Sequence, residues 1–306
     1  MSPLILIAFG FIALILGGEI LVRGAVRLAV IAGLSPMVIG VTLVGFGTST
    51  PELFTSLQAA FAGSPGIAVG NVIGSNIANI LLILGVAALV RPFPLSASAF
   101  GRDGFALTAA TLLCGIIVLY GSMGRTSGGL LVLGLLGYML YTLRTGQSDP
   151  DETSDTSTKG GVPAALALFA VGLVLTIVGA RYLVLGAIDL AAAAGISDTV
   201  IGLTVVAIGT SLPELVTSVI AALRGRFDIA LGNIIGSNIF NILGILGITA
   251  LVHPLTVPTQ IAQFDVWVMA AATLMLLGVM AAAGRLPRLG GAILVAGYGT
   301  YLVLLL

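Results

Sequence analysis

Charge is scarce in this chain. Only 8% of its 306 residues are Asp, Glu, Lys or Arg, against about 25% in ordinary soluble domains. A soluble globular domain is thereby excluded. The formal net charge is zero, so nothing in the bulk electrostatics points to a nucleic-acid partner. There is one cysteine and one histidine, which rules out a disulfide framework and the Cys/His clusters that hold zinc, copper or iron. Cys114 lies in an apolar run and reads as a small buried hydrophobe. No nucleophile–base pair or catalytic metal set is discernible, so the chain is not expected to be an enzyme or to carry a cofactor. The start, MSPLILIAFGFIALILGG, lacks the basic n-region of a cleaved signal peptide and reads as a retained helix.

What is abundant is apolar sequence, 58% of the chain. Runs of about 20 apolar residues follow one another from end to end, the signature of a polytopic helical membrane protein. Ten spans are expected, at 3–32, 37–62, 67–90, 103–121, 128–144, 163–194, 199–223, 228–252, 264–283 and 289–306. The first and sixth exceed what a roughly 30 Å hydrocarbon core requires and are expected to tilt strongly. With the N-terminus outside, Arg23, Arg27, Arg91, Arg102, Arg144, Lys159, Arg224, Arg226, Arg285 and Arg288 fall on the cytoplasmic side, and only Arg125 and Arg181 outside. The positive-inside rule therefore puts both termini outside the cell (plasma) membrane and the central linker in the cytoplasm.

The chain is also written twice. Val41 to Gly85 reads VTLVGFGTSTPELFTSLQAAFAGSPGIAVGNVIGSNIANILLILG, and Leu203 to Gly247 reads LTVVAIGTSLPELVTSVIAALRGRFDIALGNIIGSNIFNILGILG. From Gly33 and Gly195 onward, 33 of 53 aligned positions are identical at an ungapped offset of 162. Each copy heads a block of five spans, 1–144 and 163–306, joined by an acidic Ser/Thr-rich linker at 145–162. An odd number of spans per block turns the second block over. The expected fold is thus an all-α integral membrane protein of ten transmembrane helices in two inverted five-helix repeats, an arrangement typical of secondary transporters with a midplane site. The linker reads as flexible. Its acidic residues Asp149, Asp151, Glu152 and Asp155 are expected to be solvated rather than to bind a cation.

Two carboxylates stand within apolar spans, Glu52 and Glu214. A charge near the bilayer centre costs at least about 2.5–3.5 kcal/mol on insertion scales and is usually functional. Thr48 and Glu52 share a helix face, as do Thr210 and Glu214, and the same spacing relates Ser75 to Asn79 and Ser237 to Asn241. Facing their counterparts, these spans would enclose a cage of hydroxyl, carboxylate and amide oxygens. Pro51 has no N–H for the carbonyl of Gly47, nor Pro213 for that of Gly209, so backbone oxygens are freed as well. Every ligand is a hard oxygen, which suits Ca²⁺ with its 6–8 oxygen ligands. Sodium ions competing for the same carboxylates would give antiport. The competing reading, in which small residues and Ser/Thr/Asn merely join helices, accounts for the glycines and for Asn71, Asn76, Asn233 and Asn238. It does not account for two glutamates each beside a helix-breaking proline. Elsewhere, Glu19 and Arg23 are expected to pair, and Asp103, Asp228 and Asp265 to cap the spans they open. His253 falls in a loop before Pro254, and Arg181 and Asp189 are read as packing or interfacial residues.

The segments GTSTPE at 47–52 and GTSLPE at 209–214, with GNVIGSNIANI and GNIIGSNIFNI, closely resemble the two α-repeats of the Ca²⁺/cation antiporter superfamily, and within it a prokaryotic sodium/calcium exchanger. The resemblance spans nearly the whole chain. It implies a core holding four cation sites, with Ca²⁺ on Glu52 and Glu214 beside oxygens of Thr48 and Thr210. Sodium would use Ser49, Ser75, Ser211, Ser237 and the carbonyls of Gly45 and Ala207, and Asn79 and Asn241 would complete a middle site. It further implies that the first and sixth spans slide over the core, that exchange is electrogenic, and that a monomer functions in the bilayer with Ca²⁺ and Na⁺ as substrates. One departure is Asn241, where many microbial relatives have aspartate, so the cage has two carboxylates instead of three. Gly45 in place of the commoner alanine is expected to matter little. A proton/calcium or potassium-dependent exchanger of the same superfamily, and a passive cation channel, remain open on the residues alone.

Overall fold

The computed structural model describes residues 2–94, 100–146, 161–194 and 207–305. Residues 147–160 of the linker and 199–206 of the seventh expected span lie outside the described residues. Apart from four two-residue strands, the regular structure is helical: α1 Pro3–Ala32, α2 Pro36–Thr48, α3 Thr50–Phe61, α4 Pro65–Val90, α5 Gly101–Leu119, α6 Arg125–Thr145, α7 Gly161–Ala193, α8 Ala207–Thr210, α9 Leu212–Leu223, α10 Phe227–Val252, α11 Ile261–Ala281 and α12 Arg288–Leu305. Among the described residues, eight helices are long and apolar enough to cross a membrane, and the bent pair α2–α3 makes a ninth candidate. α9 is a shorter apolar helix that continues α8.

Burial divides these helices into two classes. In α4 and α10, 78% and 83% of the most apolar window is buried, against 22% in α12. Side chains on the outer helices, such as Phe105, Leu112, Ile116, Leu133 and Leu274, present bare apolar surface outward. That is the inside–outside pattern of a helix bundle whose solvent is hydrocarbon. The two repeated motifs thus form the centre, and the remaining helices shield it.

Glycines let the central helices meet backbone to backbone. A Cβ on Gly232 of α10 would lie 2.7 Å from the Met37 carbonyl oxygen, and one on Gly45 of α2 would lie 2.9 Å from the Ser237 nitrogen. The long helices α1 and α7 pack along each other in the same way. Gly17 faces the Thr176 nitrogen at 2.6 Å and Gly179 faces the Leu14 nitrogen at 2.7 Å, measured from the Cβ each lacks. The glycines of this contact recur every seven residues, at 10, 17 and 24 on α1 and at 172, 179 and 186 on α7.

Short strands tie the two halves together. β1 (Phe93–Pro94) pairs antiparallel with β4 (Arg285–Leu286), and β2 (Ser122–Met123) with β3 (Leu255–Thr256). Each pairing joins one block to the other. The expected Glu19–Arg23 pair is present at 2.8 Å, and Arg224 at the end of α9 binds the same carboxylate at 2.8 Å. Asp103 and Asp265 correct an expectation, because neither caps its helix. Both lie in π-helical turns, Phe100–Gly104 and Ile261–Asp265. Their side chains instead take hydrogen bonds from Tyr138 and Tyr301, each at 2.9 Å, and Asp103 also binds Arg102. Asp228 does lie in the first turn of α10.

Candidate functional site

The helix break foreseen at the prolines falls one residue before Thr50. At Ser49 the backbone leaves the helical region (φ −81°, ψ 7°), and α2 meets α3 at a bend of 42°. Ser211 repeats the break with φ −91° and ψ 7°. Each serine therefore stands at the N-cap of the helix that follows, with Pro51 or Pro213 in its first turn, where a missing N–H costs no hydrogen bond. An N-cap serine ordinarily turns its hydroxyl to its own helix. These two do not.

They reach across the molecule instead. Ser49 Oγ donates to Glu214 Oε1 at 2.9 Å, and Ser211 Oγ donates to Glu52 Oε1 at 3.3 Å. Each copy of the motif thus supplies the hydroxyl that holds the other copy's carboxylate. Both glutamates are 1% exposed and lie in the first turn of a helix, α3 and α9, that begins inside the protein. There the unpaired N–H groups and the positive end of the helix dipole favour a negative charge.

Further residues brace this pair. Asn71 Nδ2 donates to the Glu52 carbonyl at 3.2 Å and to Ser56 Oγ at 3.0 Å. Asn233 does the same for Glu214 (3.3 Å) and Ser218 (2.9 Å). The reading of these asparagines as helix joiners is correct in kind, but the joint they make is at the glutamate backbone. Ser56 and Ser218 were not singled out from sequence; their exact repetition beside the glutamates was the available signal. Thr48 Oγ1 lies 3.0 Å from the Val44 carbonyl, 3.4 Å from the Gly45 carbonyl and 3.1 Å from Asn233 Oδ1.

Ser237 and Ser75 make further contacts between the two motif copies. Ser237 Oγ donates to the Gly45 carbonyl at 3.2 Å, and Ser75 Oγ lies 3.5 Å from Ser211 Oγ. Asn79 opens a π-helical turn, Asn79–Ile83, and Asn241 sits in another, Phe240–Leu246. Such turns recur at functional sites because the extra residue re-aims its neighbours. Thr210 is half-buried at the end of α8, and Ala207 opens that helix. Gly45 in place of alanine, expected from the sequence to matter little, is a close-contact position: a Cβ there would lie 2.9 Å from the Ser237 nitrogen, so α10 must yield for it to fit.

Four buried oxygens in this set have no hydrogen-bond partner: Glu52 Oε2, Glu214 Oε2, Asn79 Oδ1 and Asn241 Oδ1. A buried acceptor without a donor is costly. Two carboxylate and two amide oxygens, all hard donors, suit an alkali or alkaline-earth cation. No group of three His, Cys, Asp or Glu occurs among the described residues, so neutral oxygens must complete any coordination shell.

Comparison with known proteins bears on the same features. The family model described as sodium/calcium exchanger protein matches residues 2–144 and 164–306. The sodium/calcium exchanger MaX1 of Methanosarcina acetivorans is 35% identical over 98% of this chain and 97% of its own length. The inner membrane protein YrbG of Escherichia coli is 37% identical over 81% of this chain and 79% of its own. Among solved structures, the sodium-calcium exchanger NCX_Mj soaked with 2.5 mM Na⁺ and 0.1 mM Ca²⁺ superposes with a TM-score of 0.88 at 32% identity, covering 99% of both chains.

Proposed function

The chain belongs to the sodium/calcium exchanger family, and from that premise we propose that it exchanges Na⁺ for Ca²⁺ across the membrane by alternating access, with Glu52 and Glu214 as the central ligands. It is a multi-pass membrane antiporter, not an enzyme. The observation that carries the ligand assignment is the crossed pairing of Ser49 with Glu214 and of Ser211 with Glu52, with the second oxygen of each carboxylate left without a donor.

In this reading Ca²⁺ lies between the two carboxylates beside oxygens of Thr48 and Thr210. Sodium takes Ser49, Ser75, Ser211, Ser237 and the carbonyls of Gly45 and Ala207, and Asn79 and Asn241 form the middle site. Two ionised carboxylates balance one Ca²⁺ or two Na⁺. The emptied cage would hold two uncompensated charges at membrane depth, a penalty that discourages crossing without cargo and so enforces exchange. A third Na⁺ per cycle would make exchange electrogenic. The two blocks, 1–144 and 163–306, act as inverted five-helix repeats with ten spans in all, with both termini outside the plasma membrane and residues 145–162 as a cytoplasmic linker. The working unit is a monomer. The reciprocal strand pairings and the crossed serine–glutamate bonds support a twofold relation between the blocks.

The test is uptake of radiolabelled Ca²⁺ into Na⁺-loaded proteoliposomes diluted into sodium-free buffer, with Glu52→Gln beside the wild type. Uptake that needs the outward sodium gradient and vanishes in the variant is expected. Uptake driven by a pH jump and indifferent to sodium would replace this reading with proton/calcium exchange.

A further inference from the structure

We propose that Met269 and Asn76 position Asn241, through a thioether–amide relay that fixes which atom of Asn241 faces the cage. The proposal rests on the reading of Asn241 as a cage ligand. Asn76 Nδ2 donates to Met269 Sδ at 3.6 Å, and Asn241 Nδ2 donates to Asn76 Oδ1 at 3.1 Å. All three residues are buried. An amide offers a donor on one side and an acceptor on the other, and either could be turned toward the cage. A thioether sulfur accepts and has no proton to give. It therefore draws the Asn76 NH₂ group to itself, which leaves Asn76 Oδ1 facing Asn241. That oxygen in turn draws the Asn241 NH₂, and Asn241 Oδ1 is left without a partner. An atom two side chains away thus sets Asn241 as an acceptor for a cation.

The other half has the same asparagines and no such relay. The counterparts of Asn76 and Asn241 are Asn238 and Asn79, but 162 residues before Met269 stands Leu107. Leu107 is buried on α5, which packs on α10 as α11 packs on α4. Leucine offers no acceptor. Asn238 gives its Nδ2 to the Ile234 carbonyl one turn back in its own helix, at 2.8 Å, and its Oδ1 takes no hydrogen bond. Asn79 is consequently not held by Asn238 in the way that Asn241 is held by Asn76. The two amides repeat in sequence and differ in constraint, and a single sulfur makes the difference.

The relay is tested by Met269→Leu, which keeps side-chain volume nearly constant and writes the first half's residue into the second. The readout is radiolabelled Ca²⁺ binding to the purified full-length protein, alone and in competition with Na⁺. The Na⁺ concentration that displaces half of the Ca²⁺ is expected to rise about tenfold, the lower end of what the outer partners of a metal ligand contribute. Ca²⁺ affinity without Na⁺ should hold within about twofold, because Asn241 belongs to the middle site. Asn241→Ala should shift Na⁺ competition the same way, and adding Met269→Leu to it should change nothing further, since coupled residues are not additive. If Met269→Leu weakens both ions equally, or adds its full effect to Asn241→Ala, it acts through packing and the relay is refuted. If Met269→Leu has no effect while Asn241→Ala does, the relay fails and the cage reading stands. If Asn241→Ala leaves Na⁺ competition unchanged, the cage reading fails at this residue and the relay with it.

Discussion

Gly236 places the strictest demand on packing near the site. It precedes Ser237, whose hydroxyl meets the Gly45 carbonyl at 3.2 Å, and it faces Val41 on α2. A Cβ at position 236 would fall against the Val41 carbonyl oxygen and lie 2.6 Å from Val41 Cα. Both neighbours are backbone, so no side chain can swing aside. Ordinary carbon–carbon contact begins near 3.5 Å, so Gly236→Ala must part α2 and α10 by roughly 1 Å. Overpacking of this kind costs about 1–3 kcal/mol, offset by some 0.5–1 kcal/mol from removing a mid-helix glycine. The larger consequence is at the site, where a 1 Å misplacement of ligands can cost about 10²-fold in rate. The expectation is a folded protein with a lowered melting temperature whose sodium-driven Ca²⁺ uptake falls by one to two orders of magnitude. Gly299→Ala, on the exposed face of α12 with nothing within 4 Å of its Cβ, should transport normally and melt no lower. Wild-type uptake by Gly236→Ala would refute the claim that flush α2–α10 packing sets the ligand geometry.

Four further variants probe other joints. Tyr301→Phe should destabilise more than Tyr138→Phe, because Asp103 keeps both hydrogen bonds from Arg102 at 2.8 Å whereas Asp265 has no ion pair among the described residues; thermal melts of the pair decide it, and equal losses would contradict the account. Ser49→Ala removes the 2.9 Å bond to Glu214 Oε1 of a buried carboxylate whose Oε2 has no hydrogen-bond partner. Bonds to charged groups are worth about 1.5–3 kcal/mol, so the Ca²⁺-free variant should melt lower and gain more from added Ca²⁺ than the wild type does. Glu19→Gln breaks contacts to Arg23 and Arg224, both more than half exposed. Such pairs contribute about 0–1 kcal/mol, so its melting temperature should barely move.

The parts of the molecule that follow from local chemistry were legible in the sequence. Proline beside glutamate announced a helix break at the site, and the break is there, at Ser49 and Ser211. Apolar runs gave the long helices, because hydrocarbon leaves a backbone few alternatives. Less legible was anything that depends on which atom a side chain turns to which neighbour. The resemblance places Ser49 and Ser211 at the site, and only the approach of the opposite motif reveals that each serves the other copy's glutamate. Asp103 and Asp265 look like caps because the π-helical turns that draw them inward leave no compositional mark. Their tyrosine partners do recur, at 138 and 301, one residue off the 162 spacing, and an alignment allowing that single slip would have matched them. The difference between Asn76 and Asn238 lies in Met269 and Leu107, two apolar residues that hydropathy treats as equivalent.

The seven-residue glycine spacing of α1 and α7 has a mechanical consequence. Along that contact the glycines of each helix meet the other's main chain, beside side-chain atoms of Thr176, Leu21 and Ile7. A slip by anything short of the full heptad would bring larger residues into the glycine notches, so the packing resists sliding of α1 along α7. Toward α9 the contact is of another kind: Gly18 meets only the side-chain carbons of Ile220 and Val216. The seam between α1 and α7 is therefore backbone against backbone at its glycines, whereas the seam between α1 and α9 is built of side chains and closed at one end by the Glu19–Arg224 pair.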